Sequence, residues 1–522
     1  MAMSLSWITD SIAGQVPYTA SDHPAVAFDD ETPLTWAELR EAELRYARSL
    51  QRAGIARGDR VALLLRNSVD YLVFYLAVAR VGAISVRLNF RLTAPELSFI
   101  LSDSDVSLLV FDTEFTDRIV PMRDEIPVQT YVVRGDIGAR PDWAVPLDIF
   151  LSEQSAGDFP QLGMDDPVGL IYTSGTTGRP KGAIYTHGST LWCGSLQAMR
   201  WKFDRHTVAM TCGPLFHVGG LEAVLLPAMV THGTAITFSS GGFRLDRALE
   251  VARRQSVTTI LLYSFMVYDL LSTDGARELL PPSLTRIVTG ADTVMPWAYA
   301  EFEKLFPGIE LVQVYGLSEG GAISTCLDWE DAREHPGSVG RPLPLTEVKL
   351  VRSDGATAAP GDVGEICVRS PAVSVGYWRR PDATAETFAD GWCRTGDLGK
   401  VDADGFLMLA GREKDMIRSS GENIYPAEVE AVITTAPHVA AAAVFAVPDA
   451  KYQEVGCGAL IPRAGEEIDL ELVRKHCAER LARYKVPKYF VVVDELPLTP
   501  SGKVKKFELR AQYAFLADEP PR

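Results

Sequence analysis

The sequence has 522 residues, 47% of them hydrophobic and 23% charged, a balance used by folded globular proteins and not by disordered chains. Length alone predicts two or more domains, because a single hydrophobic core stops growing well short of this size. A formal net charge of −17 excludes a broad nucleic-acid surface, which needs clustered Lys and Arg, so any anionic ligand has to meet a local basic site.

Seven cysteines are scattered, with no CxxC pair, which fits a reducing cytoplasm. The first basic residue is Arg40, so the positive start of a secretory signal is missing and none is expected. The longest apolar runs, such as Val218 to Val230, are interrupted by Glu222 and Pro227, so no transmembrane segment is expected.

In chain order, Thr35 followed by Glu38 reads as a capping box, and Leu39, Leu44, Ala47 and Leu50 repeat at helical spacing until Gly54. The run from Arg60 to Leu65 reads as a buried strand, Ser68 to Val81 as a helix, and Gly82 to Val86 as a strand again. This alternation predicts βαβ units with parallel strands. It continues through strands at Val168 to Tyr172, Ala235 to Phe238, Thr259 to Leu262 and Arg286 to Val288. From about Gly340 the texture changes to short β segments such as Glu347 to Val351 and Gly364 to Arg369, which predict a β-rich subdomain. Beyond Arg412 a compact βαβ-like pattern follows, with helices at 427–435 and 470–482 and strands at 441–447 and 458–461. The expected fold is α/β: a large N-terminal domain over residues 1–411 and a small α+β C-terminal domain over 412–522.

The strongest local signal is Tyr172-Thr-Ser-Gly-Thr-Thr-Gly-Arg-Pro-Lys-Gly182, directly after a predicted strand. Glycines let backbone amides approach an anion, hydroxyls donate further hydrogen bonds, and Lys181 adds a positive charge. The segment reads as a phosphate-gripping loop. A Walker A loop fails on spacing, because Pro180 precedes Lys181 and Gly182 follows it.

This loop resembles the signature of the adenylate-forming superfamily of acyl-CoA synthetases, luciferases and peptide-synthetase adenylation domains. The resemblance continues in order through Gln313-Val-Tyr-Gly-Leu-Ser-Glu319, Thr395-Gly-Asp397, Gly411-Arg-Glu-Lys-Asp415 and Pro500-Ser-Gly-Lys503. It implies an ATP-dependent carboxylic acid:CoA ligase working through an acyl-adenylate, with ATP, Mg²⁺ and coenzyme A as its small-molecule requirements. By the same resemblance Thr173, Ser174, Gly175, Thr176, Thr177, Gly178 and Lys181 hold the phosphates. Gly290, Ala291, Tyr315, Gly316, Ser318, Asp397 and Arg412 complete the nucleotide site. Tyr315 offers an aromatic face to adenine, Asp397 accepts hydrogen bonds from ribose, and Glu319 with Thr173 ligates Mg²⁺. Lys503 is the catalytic lysine of the mobile domain, Lys414 the hinge, and Gly421 part of the thiol channel.

Pro214-Leu-Phe-His-Val-Gly-Gly220 resembles the family segment beside the reacting carboxyl, which makes His217 a catalytic candidate. Trp192, Leu196, Phe265, Met266, Gly320, Gly321 and Ala322 are apolar or small, so an apolar acid, fatty or aryl, is expected. At Leu262-Tyr-Ser-Phe265 the chain departs from the Val-Pro-containing turn of many relatives, which leaves acyl chain length unassigned. Two rivals stand beside this reading: delivery of the acyl group to a separate carrier protein, and a non-catalytic nucleotide-binding relative. The second should have lost Lys503, Glu319 or Asp397, and all three are present. A homodimer is an expected form of assembly, and no nucleic-acid partner is expected.

Overall fold

The computed structural model describes residues 4–14, 22–152, 157–173, 180–412, 415–419, 422–449, 452–498 and 503–518. The capping box at Thr35 and Glu38 starts the helix Trp36–Arg52, and Ser68 caps the helix Val69–Arg80 through a bond from Tyr71 N–H.

Two large sheets form the main body. In one of seven strands, the order is Val145–Pro146, Thr130–Arg134, Leu108–Asp112, Arg60–Leu64, Ile84–Arg87, Pro167–Thr173 and Lys181–Thr186. All neighbours are parallel except the last pair, which is a hairpin. The other, of nine strands, has a parallel centre running from Pro24–Phe28 through Thr234–Thr237, Val208–Thr211, Thr259–Leu261 and Arg286–Thr289 to Glu310–Tyr315. Strands covered on both faces read as continuous apolar runs, which is why these segments stand out in the sequence.

The helix Val69–Arg80 is buried from Tyr71 to Arg80. It shares one core with Val61 and Leu63 of the first sheet and Val26 and Ala27 of the second. A helix apolar all round belongs between layers, and this one joins the two sheets. A third sheet, built on Glu347–Val351, Gly364–Arg369, Trp392–Val401 and Leu407–Arg412, is antiparallel and has its own small core around Ile366, Val368 and Leu407.

In the C-terminal part, Val439–Asp449 and Gln453–Pro462 pair as a long antiparallel hairpin. The helix Leu470–Arg480 then crosses to Tyr489–Val492, which pairs parallel to Gln453–Pro462 and completes a βαβ unit. The helix Pro426–Ile433 packs beside the strand Leu407–Arg412, and the Thr434 hydroxyl lies 3.6 Å from Met295 Sδ of the main body. All seven cysteines are free and buried. Among the described residues no helix is long and apolar enough to cross a membrane.

Candidate active site

The hairpin Pro167–Thr173 and Lys181–Thr186 sets Thr173 directly opposite Lys181, at the two ends of the glycine-rich loop. Thr173 Oγ1 donates to Glu319 Oε1 at 2.8 Å, and Tyr377 Oη donates to the same oxygen at 2.9 Å. The Lys181 ammonium lies 5.3 Å from the centre of the Tyr377 ring. Tyr377 is therefore a shared neighbour of the cation and the carboxylate, and it was not singled out from the sequence. Its segment joins the hairpin edge: Ile184 N–H donates to Gly376 O, and Trp378 N–H to Gly182 O. No local pattern announces such a long-range edge contact.

Around this cluster the backbone is tightly folded. A Cβ added at Gly316 would lie 2.0 Å from Ala322 O, so no side chain fits there. Gly290 is similarly pressed against Val314, and Ala291 holds a positive φ of 74°. Ser318 is buried, and its carbonyl accepts a hydrogen bond from the Tyr185 hydroxyl. Tyr315 Oη donates to Asp397 Oδ2 at 2.9 Å. Asp397 pairs in register with Arg412 across neighbouring strands, which puts the expected ribose turn beside the expected sugar contact. The turn itself is held by Gly396 N–H on Glu365 and by Asp397 N–H on Thr395 Oγ1. The expected site residues Ser174, Gly175, Thr176, Thr177, Gly178, Lys414 and Gly421 lie outside the described residues.

His217 caps the short helix Val218–Leu221, with Nδ1 accepting from Gly219 N–H at 3.1 Å. That bond requires the neutral ring to carry its proton on Nε2. Burial pushes the imidazole down to about 4, assisted by the positive charges of Lys503 and Arg87. The positive charge of Lys503, from the C-terminal part, also acts on Asp292, where burial raises the carboxyl and the cation opposes it. Nearby, Lys506 pairs with Glu430 at 2.6 Å and ties this end of the chain to the helix Pro426–Ile433.

The loop bearing His217 is clamped by two residues the sequence did not single out. Asn67 accepts from Leu215 N–H at 2.9 Å and donates to Gly213 O at 2.9 Å. Arg87 donates to Leu215 O at 3.2 Å and pairs with Glu222 at 2.8 Å, with both side chains almost fully buried. Both sit at the ends of predicted strands, where active-site groups of parallel sheets collect.

Residues 15–378 match the family described as AMP-binding enzyme, and residues 428–503 match the AMP-binding enzyme C-terminal domain. The chain belongs to the AMP-binding enzyme family. It is 37% identical over 493 residues to a feruloyl-CoA synthase of Amycolatopsis sp, covering 94% of this chain and 96% of that protein. It is 35% identical to the long-chain-fatty-acid–CoA ligase FadD13 of Mycobacterium tuberculosis, over 92% of this chain and 93% of that one. Among solved structures, the o-succinylbenzoate CoA synthetase of Bacillus subtilis, in complex with its acyl-adenylate intermediate, superposes with a TM-score of 0.83. That likeness carries 31% identity and covers 96% of this chain and 97% of the other.

This AMP-binding enzyme is an acyl-CoA synthetase, an AMP-forming acid–thiol ligase whose substrates are a carboxylic acid, ATP and coenzyme A. Its Thr173 and Glu319 oxygens, 2.8 Å apart, form the hard, acidic donor set that Mg²⁺ takes beside phosphate oxygens. The residues present fit the ion. The surroundings expected of an acyl pocket divide in two: Leu196 and Met266 belong to the core, whereas Trp192 and Phe265 remain partly exposed.

Proposed function

We propose that this ligase activates an apolar carboxylic acid, aryl or fatty, with Lys503 serving the first of two half-reactions. The observation that carries the reading is the cluster that joins Lys181, Thr173, Glu319 and Tyr377 at the ends of the glycine-rich loop. In the first step a carboxylate oxygen attacks the α-phosphorus of ATP, a C–O–P bond forms, and the bond to pyrophosphate breaks. Negative charge grows on the phosphate oxygens, and a fixed ammonium stabilises it most in a site shielded from water. Lys503 supplies that charge, and Lys181 steadies the departing phosphates with the loop 173–178.

Tyr315 offers its ring to adenine, and Asp397 takes the ribose hydroxyls with Arg412 beside it. Gly290, Ala291, Gly316 and Ser318 form the close-fitting backbone around the nucleotide. Glu319 and Thr173 would hold Mg²⁺, which neutralises phosphate charge when bound. Neutral His217 can donate from Nε2 to the acid's carboxylate without carrying a competing charge.

In the second step the thiol sulfur of coenzyme A attacks the acyl carbon, a C–S bond forms, and AMP leaves with the bonding electrons. Lys503 and an incoming thiol cannot both occupy the approach to the same carbonyl, so the reading includes rotation of residues 412–522 against 1–411. Lys414 acts as hinge and Gly421 admits the pantetheine arm. The separate family matches on either side of 411 support this division. Seven unpaired cysteines support a cytoplasmic location, and a homodimer is part of the proposal.

The test is a panel of aliphatic and aromatic acids assayed for AMP release with ATP and Mg²⁺, with coenzyme A and a phosphopantetheinyl carrier protein compared as acceptors. Thioester formed on coenzyme A from an apolar acid is the expected result. Transfer to the carrier alone, or activation only of dicarboxylates or amino acids, would overturn the proposal.

A further inference from the structure

Asn67 follows the strand Arg60–Leu64 of the seven-stranded sheet and stands just ahead of the buried helix Val69–Arg80. Its side chain reaches across to the nine-stranded sheet, where it meets the chain leaving two neighbouring strands, Val208–Thr211 and Thr234–Thr237. Nδ2 donates to Gly213 O at 2.9 Å and to Phe238 O at 2.8 Å, while Oδ1 accepts from Leu215 N–H at 2.9 Å. Two carbonyls on one side and an N–H on the other settle which end of the amide is oxygen, and both of its donor hydrogens are in use. The residue is 3% exposed, so these bonds are made away from bulk water.

The backbone that carries the amide is itself pinned. Asn67 N–H donates to Ser240 Oγ at 3.0 Å, and Arg66 N–H donates to Asp112 Oδ2 at 2.7 Å. On the far side the His217 loop closes on itself: His217 N–H donates to Pro214 O, Gly220 N–H donates to His217 O, and a Cβ at Gly220 would lie 2.0 Å from Pro214 O. A loop so closed moves as one piece, and the anchors at its entrance set where the imidazole stands. Leu215 is held there at both backbone groups, its N–H by Asn67 and its carbonyl by Arg87. Arg87 also acts on His217 through its charge. Asn67 is neutral, so its influence on the imidazole is one of place.

We propose that Asn67 is a positioning residue for acid activation, holding the His217 loop where the imidazole meets the acid's carboxylate. This rests on the reading of His217 given above. An amide of this size offers two donors and an acceptor in one plane, as the three bonds require. Aspartate has the same shape but only acceptors, and it would set a carboxylate oxygen against two carbonyls. A reacting group displaced by about 1 Å costs on the order of a hundredfold in rate.

The experiment measures acid-dependent pyrophosphate release by the full chain, with ATP, Mg²⁺ and whichever aliphatic or aromatic acid of a panel it activates best. The variants are Asn67→Asp, Asn67→Ser, His217→Ala and the two doubles. Asn67→Asp is expected to lower kcat/KM for the acid by about tenfold to a hundredfold. KM for ATP should stay within about twofold of the unaltered chain. Serine, small enough to admit a bridging water, should lose less. In the His217→Ala background either Asn67 substitution should add less than about twofold, because both residues act through one ring.

Losses that multiply in the double variants, or a parallel rise in KM for ATP, would show that Asn67 merely ties the two sheets together, and would overturn the proposal. Undiminished kcat/KM in both single Asn67 variants overturns it as well. If Asn67→Asp lacks a cooperative urea transition, Asn67→Ser carries the comparison, and failure of both to fold assigns the amide to the fold alone. Full activity in His217→Ala would instead refute the role of His217, and the proposal with it. If the unaltered chain releases pyrophosphate with no acid, the acid-activation reading itself fails.

Discussion

Tyr315 Oη donates a 2.9 Å hydrogen bond to Asp397 Oδ2, and both side chains are buried. This bond ties the strand Glu310–Tyr315 to the turn that opens toward Arg412, so the proposed adenine face and ribose acceptor are held as one unit. Tyr315→Phe keeps the ring and removes the tie. It is expected to raise KM for ATP about fivefold, corresponding to ~1 kcal/mol for one hydrogen bond, with little change in kcat. Steady-state kinetics at saturating acid measures this directly, and an unchanged KM counts against the pairing of roles.

Lys503→Ala should abolish pyrophosphate release while leaving thioester formation from supplied acyl-adenylate largely intact. Lys414→Pro, by stiffening the backbone at the proposed hinge, should impair the second half-reaction more than the first. Single-turnover assays of each half-reaction separate the two effects. Normal pyrophosphate release by the first variant would refute the role of Lys503 in adenylation, and equal losses in both steps for the second would count against domain alternation.

Tyr377 steadies Glu319, so Tyr377→Phe acts on any cation held there through the ligand's orientation. The Mg²⁺ concentration giving half-maximal activity is expected to rise about tenfold, the lower range for loss of such a supporting contact. A metal titration at fixed ATP tests it, and an unaltered midpoint would remove Glu319 from the ion's surroundings.

Arg87 and Glu222 form an ion pair with side-chain exposures of 2% and 1%. Arg87→Met would strand a buried carboxylate and is expected to cost about 3–5 kcal/mol. Adding Glu222→Leu should recover most of that loss, since an apolar pair of similar volume is tolerated. Urea denaturation of both variants provides the check, and additive losses would show that the two residues do not act as a pair.

His187 Nδ1 accepts from Leu5 N–H at 2.8 Å, and burial pushes its pKa down to about 4. The unfolded chain carries an ordinary imidazole, titrating near 6.5. Between those values the unfolded state binds a proton that the folded state refuses, so stability is complete above about pH 6.5 and declines as pH falls toward 4. His217, held down to about 4 as well, adds to the same slope. Denaturation midpoints should drop from pH 7 to pH 5, with a shallower drop in His187→Asn.

The architecture was legible where one segment carries its own signal. The buried strands Arg60–Leu64 and Arg286–Thr289, the capped helix Trp36–Arg52 and the motif loops all announce themselves through periodicity, capping or glycine spacing. Contacts made across long stretches of chain were not legible. Tyr377 reaches Glu319 only because residues 375–378 join the edge of a hairpin nearly two hundred residues earlier. Asn67 and Arg87 clamp the His217 loop from strand ends where neither has a distinctive local pattern. The pairing of the C-terminal strands is not legible for a similar reason: a hairpin and a crossover leave the same alternation of apolar runs until pairing is known.

The cysteines, every one of them sequestered, have a practical consequence. Seclusion from water raises the thiols of Cys457 and Cys326 to about 12 and that of Cys477 to about 11, far from the thiolate form that alkylating reagents attack. The native chain should therefore present a silent background to maleimide dyes. A single engineered surface thiol on each side of residue 412 would then report distances by fluorescence transfer without first stripping out the natural seven.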